Sequence, residues 1–353
     1  MLVWRSTNTM QMKMYRRPKT TCRSKNQLLG SYGILKAKYP LRESKVARPY
    51  LETKKMNAFQ FLVLICVVVV GSVSAAYSKA EAETALYLSG ATFCNPEDYT
   101  TRSFDNSVPA LEGFNATMSI TDVKYATAGF VGYLPSAESI YVAYRGSMNW
   151  QNWMANLEAR PVDYTSFQDN NNNGDISCNN CKVHRGFYTA LLNDFDSVTA
   201  EVKRLKELYP SYSIKTTGHS LGAALSQLAA MELIARGFQV QSNYNFGQPR
   251  TGNGEYSALV NELLLGSTFR HVHYTDPVPH VPPPALGYVH ACQEYYEPNE
   301  EWDGTLTSCG EVDPAVPAGE SCEDPGHCML QWKDRQLNPD DHMTYLGIPI
   351  KCY

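Results

Sequence analysis

Along residues 138–279, short β-rich runs alternate with longer stretches whose apolar residues recur at helical spacing. "ESIYVAYRG" (138–146) is an apolar, aromatic run ending at a glycine, which predicts a strand. "GFYTALLNDFDSVTAEVKRLKELYP" (186–210) sets Leu191, Leu192, Phe195, Val198, Val202, Leu205 and Leu208 on one side of a helix that Pro210 stops. "YSIKTTG" (212–218) predicts a short strand, and "LGAALSQLAAMELIARG" (221–237) an Ala- and Leu-rich helix ended by Gly237. "VQSNYNFGQPRTG" (240–252) and "FRHVHYTDPVP" (269–279) read as further strands that run into turn chemistry. Strands alternating with helices argue for a mainly parallel α/β sheet, in which sites form at the carboxyl ends of the strands. From about Ala291 the pattern fades into Glu, Asp, Pro, Gly and Cys, and loops tied by disulfides are expected.

The amino-terminal quarter is different material. Residues 1–55 hold 14 of the 31 Lys/Arg and two of the 35 Asp/Glu. That leaves 17 basic against 33 acidic residues, a formal charge of −16, for the remainder. An acidic globule lacks the clustered cations that replace phosphate counterions, so nucleic acid is not an expected partner. Phe61–Val70 is an unbroken apolar run followed by Val73-Ser74-Ala75. It is shorter than the ~20 residues of a membrane span and suits a secretory signal with a small-residue cleavage site. The expected organisation is a basic extension over 1–55 outside the mature protein, a signal peptide over 56–75 and one domain over 76–353. A retained signal anchor with a basic cytosolic tail is the alternative. Cleavage implies an extracellular protein, and a monomer is expected.

Cysteine usage agrees with that compartment. Beyond Cys22 and Cys66, eight cysteines remain: Cys94, Cys178, Cys181, Cys292, Cys309, Cys322, Cys328 and Cys352. An even set in a secreted chain pairs. "CNNC" (178–181) has no second CxxC or histidine pair to complete a zinc site. Asn115-Ala116-Thr117 is a glycosylation sequon. Asp169, Asn171, Asn173 and Gly174 imitate a calcium loop, but its twelfth position is Asn180, where a bidentate Glu is needed. No metal or cofactor is expected.

The candidate chemistry centres on "TTGHSLGAAL" (216–225), which boxes Ser220 between Gly218 and Gly222. A glycine-flanked serine is common by chance. Here it follows a predicted strand and opens a predicted helix, which is the setting of a nucleophile elbow. A tight βα turn whose glycines serve packing alone is the rival. An exposed serine on such a turn needs a base, a carboxylate to orient that base, and donors for an oxyanion. Asp276 follows a predicted strand directly, and the histidines after it are His280, His290, His327 and His342.

Five segments, in this order, resemble the class 3, filamentous-fungal-type triacylglycerol lipases and their feruloyl esterase relatives: "YRGSMNWQNWMANL", "TGHSLGAAL", "FGQPRTGN", "YTDPVPHVPPPALGYVH" and "DHMTYLGI". The resemblance covers about Ala82 to Cys352. It implies an α/β-hydrolase fold with a mainly parallel sheet, and a triad of Ser220, Asp276 and His342. It also implies oxyanion donors at Leu221 and Ser147. His280 and His290 become polar packing residues near the site, and His219 one that packs beneath the elbow. The segment after Ser147 falls on the family's lid, with Met148, Trp150, Trp153 and Met154 as its apolar face. Trp153 matches the lid tryptophan, while core tryptophans are the alternative. Feruloyl esterases carry a more polar segment there, which favours a lipase. The family's common bridges imply Cys94–Cys352 and Cys178–Cys181, leaving Cys292, Cys309, Cys322 and Cys328 with three possible pairings. The expected partners are a lipid or other ester substrate and, transiently, a lipid surface. A feruloyl-type carboxylesterase, a phospholipase using the same triad, and an inactive binding protein on this fold stay open.

Overall fold

Ser139–Tyr144 is a strand whose alternate side chains enter two different cores. Ile140, Val142 and Tyr144 face a cluster that includes Val198, Leu225 and Leu228, while Tyr141 and Ala143 face Leu88 and Ala91. Both faces are therefore covered, as a strand within an α/β sandwich requires. The computed structural model describes residues 76–353, apart from 102–103, 105–107, 156–158, 168–176, 265, 310–335 and the side chains of residues 153 and 155.

In chain order the elements are α1 (Lys79–Ala91), β1 (Asn115–Asp122), β2 (Thr127–Leu134), β3 (Ser139–Tyr144), α2 (Trp150–Ala155), β4 (Pro161–Asp163) and β5 (Lys182–His184). They continue with α3 (Arg185–Leu192), α4 (Phe195–Leu208), β6 (Ser213–His219), α5 (Leu221–Ala235), β7 (Val240–Phe246), α6 (Gly254–Leu264) and β8 (Thr268–His273). Short strands β9 (Glu294–Glu297), β10 (Thr307–Cys309), β11 (Thr344–Tyr345) and β12 (Ile348–Pro349) follow. The main sheet has the order β1-β2-β3-β6-β7-β8-β9-β10. Neighbours from β3 through β9 are parallel, and the outer pairs at both edges are antiparallel. The described residues fall in one compact unit.

Helix α5 is apolar on all sides and buried from Gly222 to Leu233, as expected for a helix at the centre of a core. Helix α1 covers the opposite face, with Ala82, Ala85 and Leu86 against Tyr244 and Phe246 of β7. Its start is capped by Ser78 Oγ, which accepts from the Glu81 amide at 3.3 Å.

Two expectations need correction. The 186–210 stretch is not one helix but two, α3 and α4, broken at Asn193 and Asp194. Asp194 leaves the helical region at φ −119°, and the Asn193 amide donates to the Asp122 carboxylate across the molecule. The tail beyond Ala291 is not only loops, since β9 and β10 extend the sheet. Its acids hid the strand: Glu294 is buried against Arg270 at 3.1 Å, and Glu297 is buried beneath the 342–346 segment. Cys94–Cys352 and Cys178–Cys181 are disulfides as expected. Cys292 and Cys309 are also disulfide-bonded, while Cys322, Cys328, His327, the calcium-like positions 169–174 and residues 1–75 lie outside the described residues.

Candidate active site

The turn between β6 and α5 holds Ser220 at φ 58°, ψ −128°, a backbone that L-residues rarely adopt. Its N–H donates to the carbonyl of Phe246 on the neighbouring strand at 2.9 Å. The flanking glycines are forced by close approach. A Cβ on Gly218 would drive into the carbonyl of Gly222, and one on Gly222 into the carbonyl of Tyr144. Gly146 belongs to the same contact: a Cβ there would lie 2.8 Å from the His219 carbonyl oxygen and 3.0 Å from Ser220 Cβ. That glycine brings the loop carrying Ser147 against the elbow.

Asp276 leaves the carboxyl end of β8, and His342 sits in a short 3₁₀ turn, Pro339–Met343. Both are fully buried. His342 Nδ1–H donates to Asp276 Oδ2 at 2.9 Å, the Val278 amide donates to Oδ1 at 2.8 Å, and the Tyr345 hydroxyl donates to Oδ2. Burial pushes the Asp276 carboxyl up, but His342, Tyr345 and the Val278 N–H outweigh it and hold the group below the usual carboxylate range. Asp276 is thus ionised, and as the acceptor for Nδ1–H it holds the orientation of the His342 ring.

The turn is held from several sides. Asp341 accepts from the Thr275 amide at 3.1 Å and hydroxyl at 2.6 Å, and His273 Nδ1 donates to the Asp341 carbonyl at 2.9 Å. The Leu346 amide donates to Glu297 at 2.8 Å. His219 Nε2–H donates to the His342 carbonyl at 2.7 Å, with the two rings 4.4 Å apart. Burial, reinforced by the neighbouring His342, keeps His219 well below the usual histidine range, so it stays neutral beneath the other ring. His219 therefore braces the segment as well as packing under the elbow.

Ser220 Oγ and His342 Nε2 are both buried and make no hydrogen bond among the described residues. Buried polar atoms are rarely left so, and at reactive centres they tighten on a ligand. A cavity of about 530 Å³ is lined by Lys124, Tyr125, Ser147, Met148, Phe187 and Leu221, the residue after Ser220. The residues expected to supply the oxyanion donors, Ser147 and Leu221, thus share one cavity wall.

The family model for Lipase (class 3) matches residues 141–286, which contain β3, the elbow and Asp276. Over that segment the chain is similar to the class 3 lipases. A secreted mono- and diacylglycerol lipase A of Penicillium cyclopium is 31% identical over 212 residues, covering 56% of this chain and 64% of that protein. The chain therefore spans just under two thirds of that relative's length. The structure of the Rhizomucor miehei triacylglyceride lipase superposes with a TM-score of 0.66 at 26% identity, covering 79% of this chain and 98% of that one. A triacylglycerol lipase structure whose catalytic centre is described as a serine protease triad gives 0.65 at 27% identity, over 79% and 98%. Those neighbours share the α/β-hydrolase fold seen here.

Around Ser220, Asp276 and His342, the positions expected to form a triad, the segment after Ser147 forms α2. Trp150 is buried with its ring 4.6 Å from His342, Met148 is exposed, and Met154 is half-buried. Trp150 therefore roofs the histidine, and the side chain of Trp153 lies outside the described residues. His290 Nε2 donates to the Pro279 carbonyl at 2.8 Å and is buried, while His280 lies on the same Pro-rich loop. Asn115, in the sequon, is exposed. Sequence reading missed Tyr345, Asp341 and Glu297. Tyr345 lies in β11, directly after the histidine's turn, and its closeness to His342 in sequence was the available signal.

Proposed function

We propose that this chain is a secreted serine hydrolase that cleaves carboxylic ester bonds of acylglycerols at a lipid–water interface. The observation that carries the reading is the buried, Asp276-bound His342 whose Nε2, like Ser220 Oγ, has no hydrogen-bond partner among the described residues. Ser220 Oγ attacks the ester carbonyl while His342 Nε2 takes its proton. Leu221 N–H and Ser147 stabilise the oxyanion. Collapse expels the alcohol, which receives the proton from His342. Water then attacks the acyl-serine with the same base, releasing the acid and restoring the hydroxyl. Asp276 remains ionised throughout.

The acylglycerol preference draws on the apolar cavity wall, on α2 closing over His342, and on the relatives named as lipases. Residues 56–75 would direct the chain out of the cell, in keeping with a relative named as secreted. A fluorophosphonate should label the purified protein, and Ser220→Ala should abolish labelling. Dispersed long-chain triglyceride should be hydrolysed faster than soluble feruloyl and short-chain esters, with a rate jump above the lipid's solubility limit. Label retained in Ser220→Ala would remove the serine assignment. Preference for the soluble feruloyl ester would turn the reading to the carboxylesterase.

A further inference from the structure

The turn joining β1 to β2 is placed where a lipid surface would meet the cleft. Strand β2 runs antiparallel to β3 with Gly129 opposite Tyr144, and β3 runs parallel to β6 with Tyr144 opposite Gly218. Residues 123–126 therefore emerge at the same sheet edge as Ser147 and Ser220. At the tip Val123 is 99% exposed, a position an aliphatic side chain takes at a cost in water. Lys124 and Tyr125 follow, with the ammonium 4.7 Å from the ring centroid, and both line the cavity that Ser147 and Leu221 share. The turn is pinned: the Tyr125 amide donates to Asp122 at 3.0 Å, and Asn193 ties Asp122 to the end of α3. That contact brings Leu192, 41% exposed, beside the turn, while Met148, 70% exposed, stands on the cavity's own wall. Among the described residues, three of the six exposed large apolar side chains are thus collected around one cleft mouth.

We propose that the Val123–Lys124–Tyr125 turn is a lipid-insertion tip that seats the cleft mouth on the substrate phase; this rests on the interfacial ester-hydrolase reading above. Valine would enter the acyl layer. Lysine and tyrosine, each with an apolar body and a polar end, would lie at headgroup depth. The local cation matters because residues 76–353 are otherwise strongly acidic, with 33 Asp/Glu against 17 Lys/Arg. Unlike α2, the turn needs no movement to be available.

The test measures partition directly, by flotation of the mature protein with triolein–phosphatidylcholine emulsions, in a Ser220→Ala background that leaves the lipid intact. Val123→Ser should weaken partition about tenfold, the order set by one valine's apolar surface. Leu208→Ser should not. Leu208 is also exposed, but it precedes β6 at the opposite sheet edge from Ser220. With Ser220 intact, kcat/KM of Val123→Ser on a soluble short-chain ester should match the parent. Unchanged partition of Val123→Ser, or equal losses in both variants, would overturn the proposal. So would concentration-dependent self-association that Val123→Ser abolishes while partition stays put, since a second copy would then cover the tip. If lipid binding responds as stated but no ester is cleaved, the insertion tip stands and the hydrolase reading falls.

Discussion

Ser220 and His342 are both buried to about the same degree, yet different kinds of structure hold them. The serine is set by backbone alone, through a positive φ between a strand and a helix, two glycines in carbonyl contact and a third pressing from the Gly146 loop. The histidine is set by side chains from far away: Asp276, Thr275, His273, Glu297 and His219 each bond to residues 341–346 or their backbone. A local device of this kind tolerates no added atom. A distributed one loses its parts gradually, because each hydrogen bond contributes only about 1 kcal/mol net, or ~1.5–3 when charged.

The sharpest way to break that contrast is Gly222→Ala. Its methyl would enter the Tyr144 carbonyl, with backbone on both sides and no flexible side chain to yield. A loss of about 3 kcal/mol or more is expected, read as a fall in urea midpoint or as failure to secrete. A neutral result would mean that the elbow can flex. Next, Tyr345→Phe removes one donor from the Asp276 oxygen that also holds His342. About 2 kcal/mol of stability should go, and kcat on a soluble ester should fall about tenfold with KM unchanged. A change confined to KM would show that the hydroxyl does not position the dyad.

The smallest effect is a pH slope. Burial raises Glu297 to about 8 and lowers His271 to about 3, with the pair 3.8 Å apart. Glu297, protonated in the native state and ionised when unfolded, makes stability fall as pH rises from about 4.5 to about 8. His271 acts oppositely, adding stability as pH rises from about 3 to about 6.5, where the unfolded ring loses its proton. The two oppose each other between about pH 4.5 and about 6.5, leaving Glu297 alone between about 6.5 and about 8. In that window the melting temperature should decline, by at most ~1.4 kcal/mol of stability per pH unit. Glu297→Gln, which keeps an acceptor for Leu346 N–H, should flatten it. A decline that persists in the variant would place the titrating group elsewhere.

The same contrast explains what the sequence made legible. An elbow is a local object, so glycine spacing, the preceding strand and the following helix were enough to find Ser220 and the edge of the sheet that carries it. Asp276 was visible because it ends an apolar strand. His342 was reached through resemblance, since 66 residues separate it from Asp276 and nothing local distinguishes it from His290. Glu294 and Glu297 misled because a carboxyl buried by a distant arginine or a distant amide looks like surface. The α3–α4 break was hidden for a similar reason: helical periodicity continues across Asn193, and its contact with Asp122 lies 71 residues away.

The conformation at residue 220 also sorts reactive groups by shape. At φ 58°, ψ −128° the backbone crowds Cβ, and a branched carbon there would add a second heavy atom where room is scarcest. Threonine, chemically the nearer cousin, would be refused, whereas cysteine would occupy the turn unchanged. In this architecture the passage from an oxygen to a sulfur nucleophile is sterically open, and the passage from a primary to a secondary alcohol is closed.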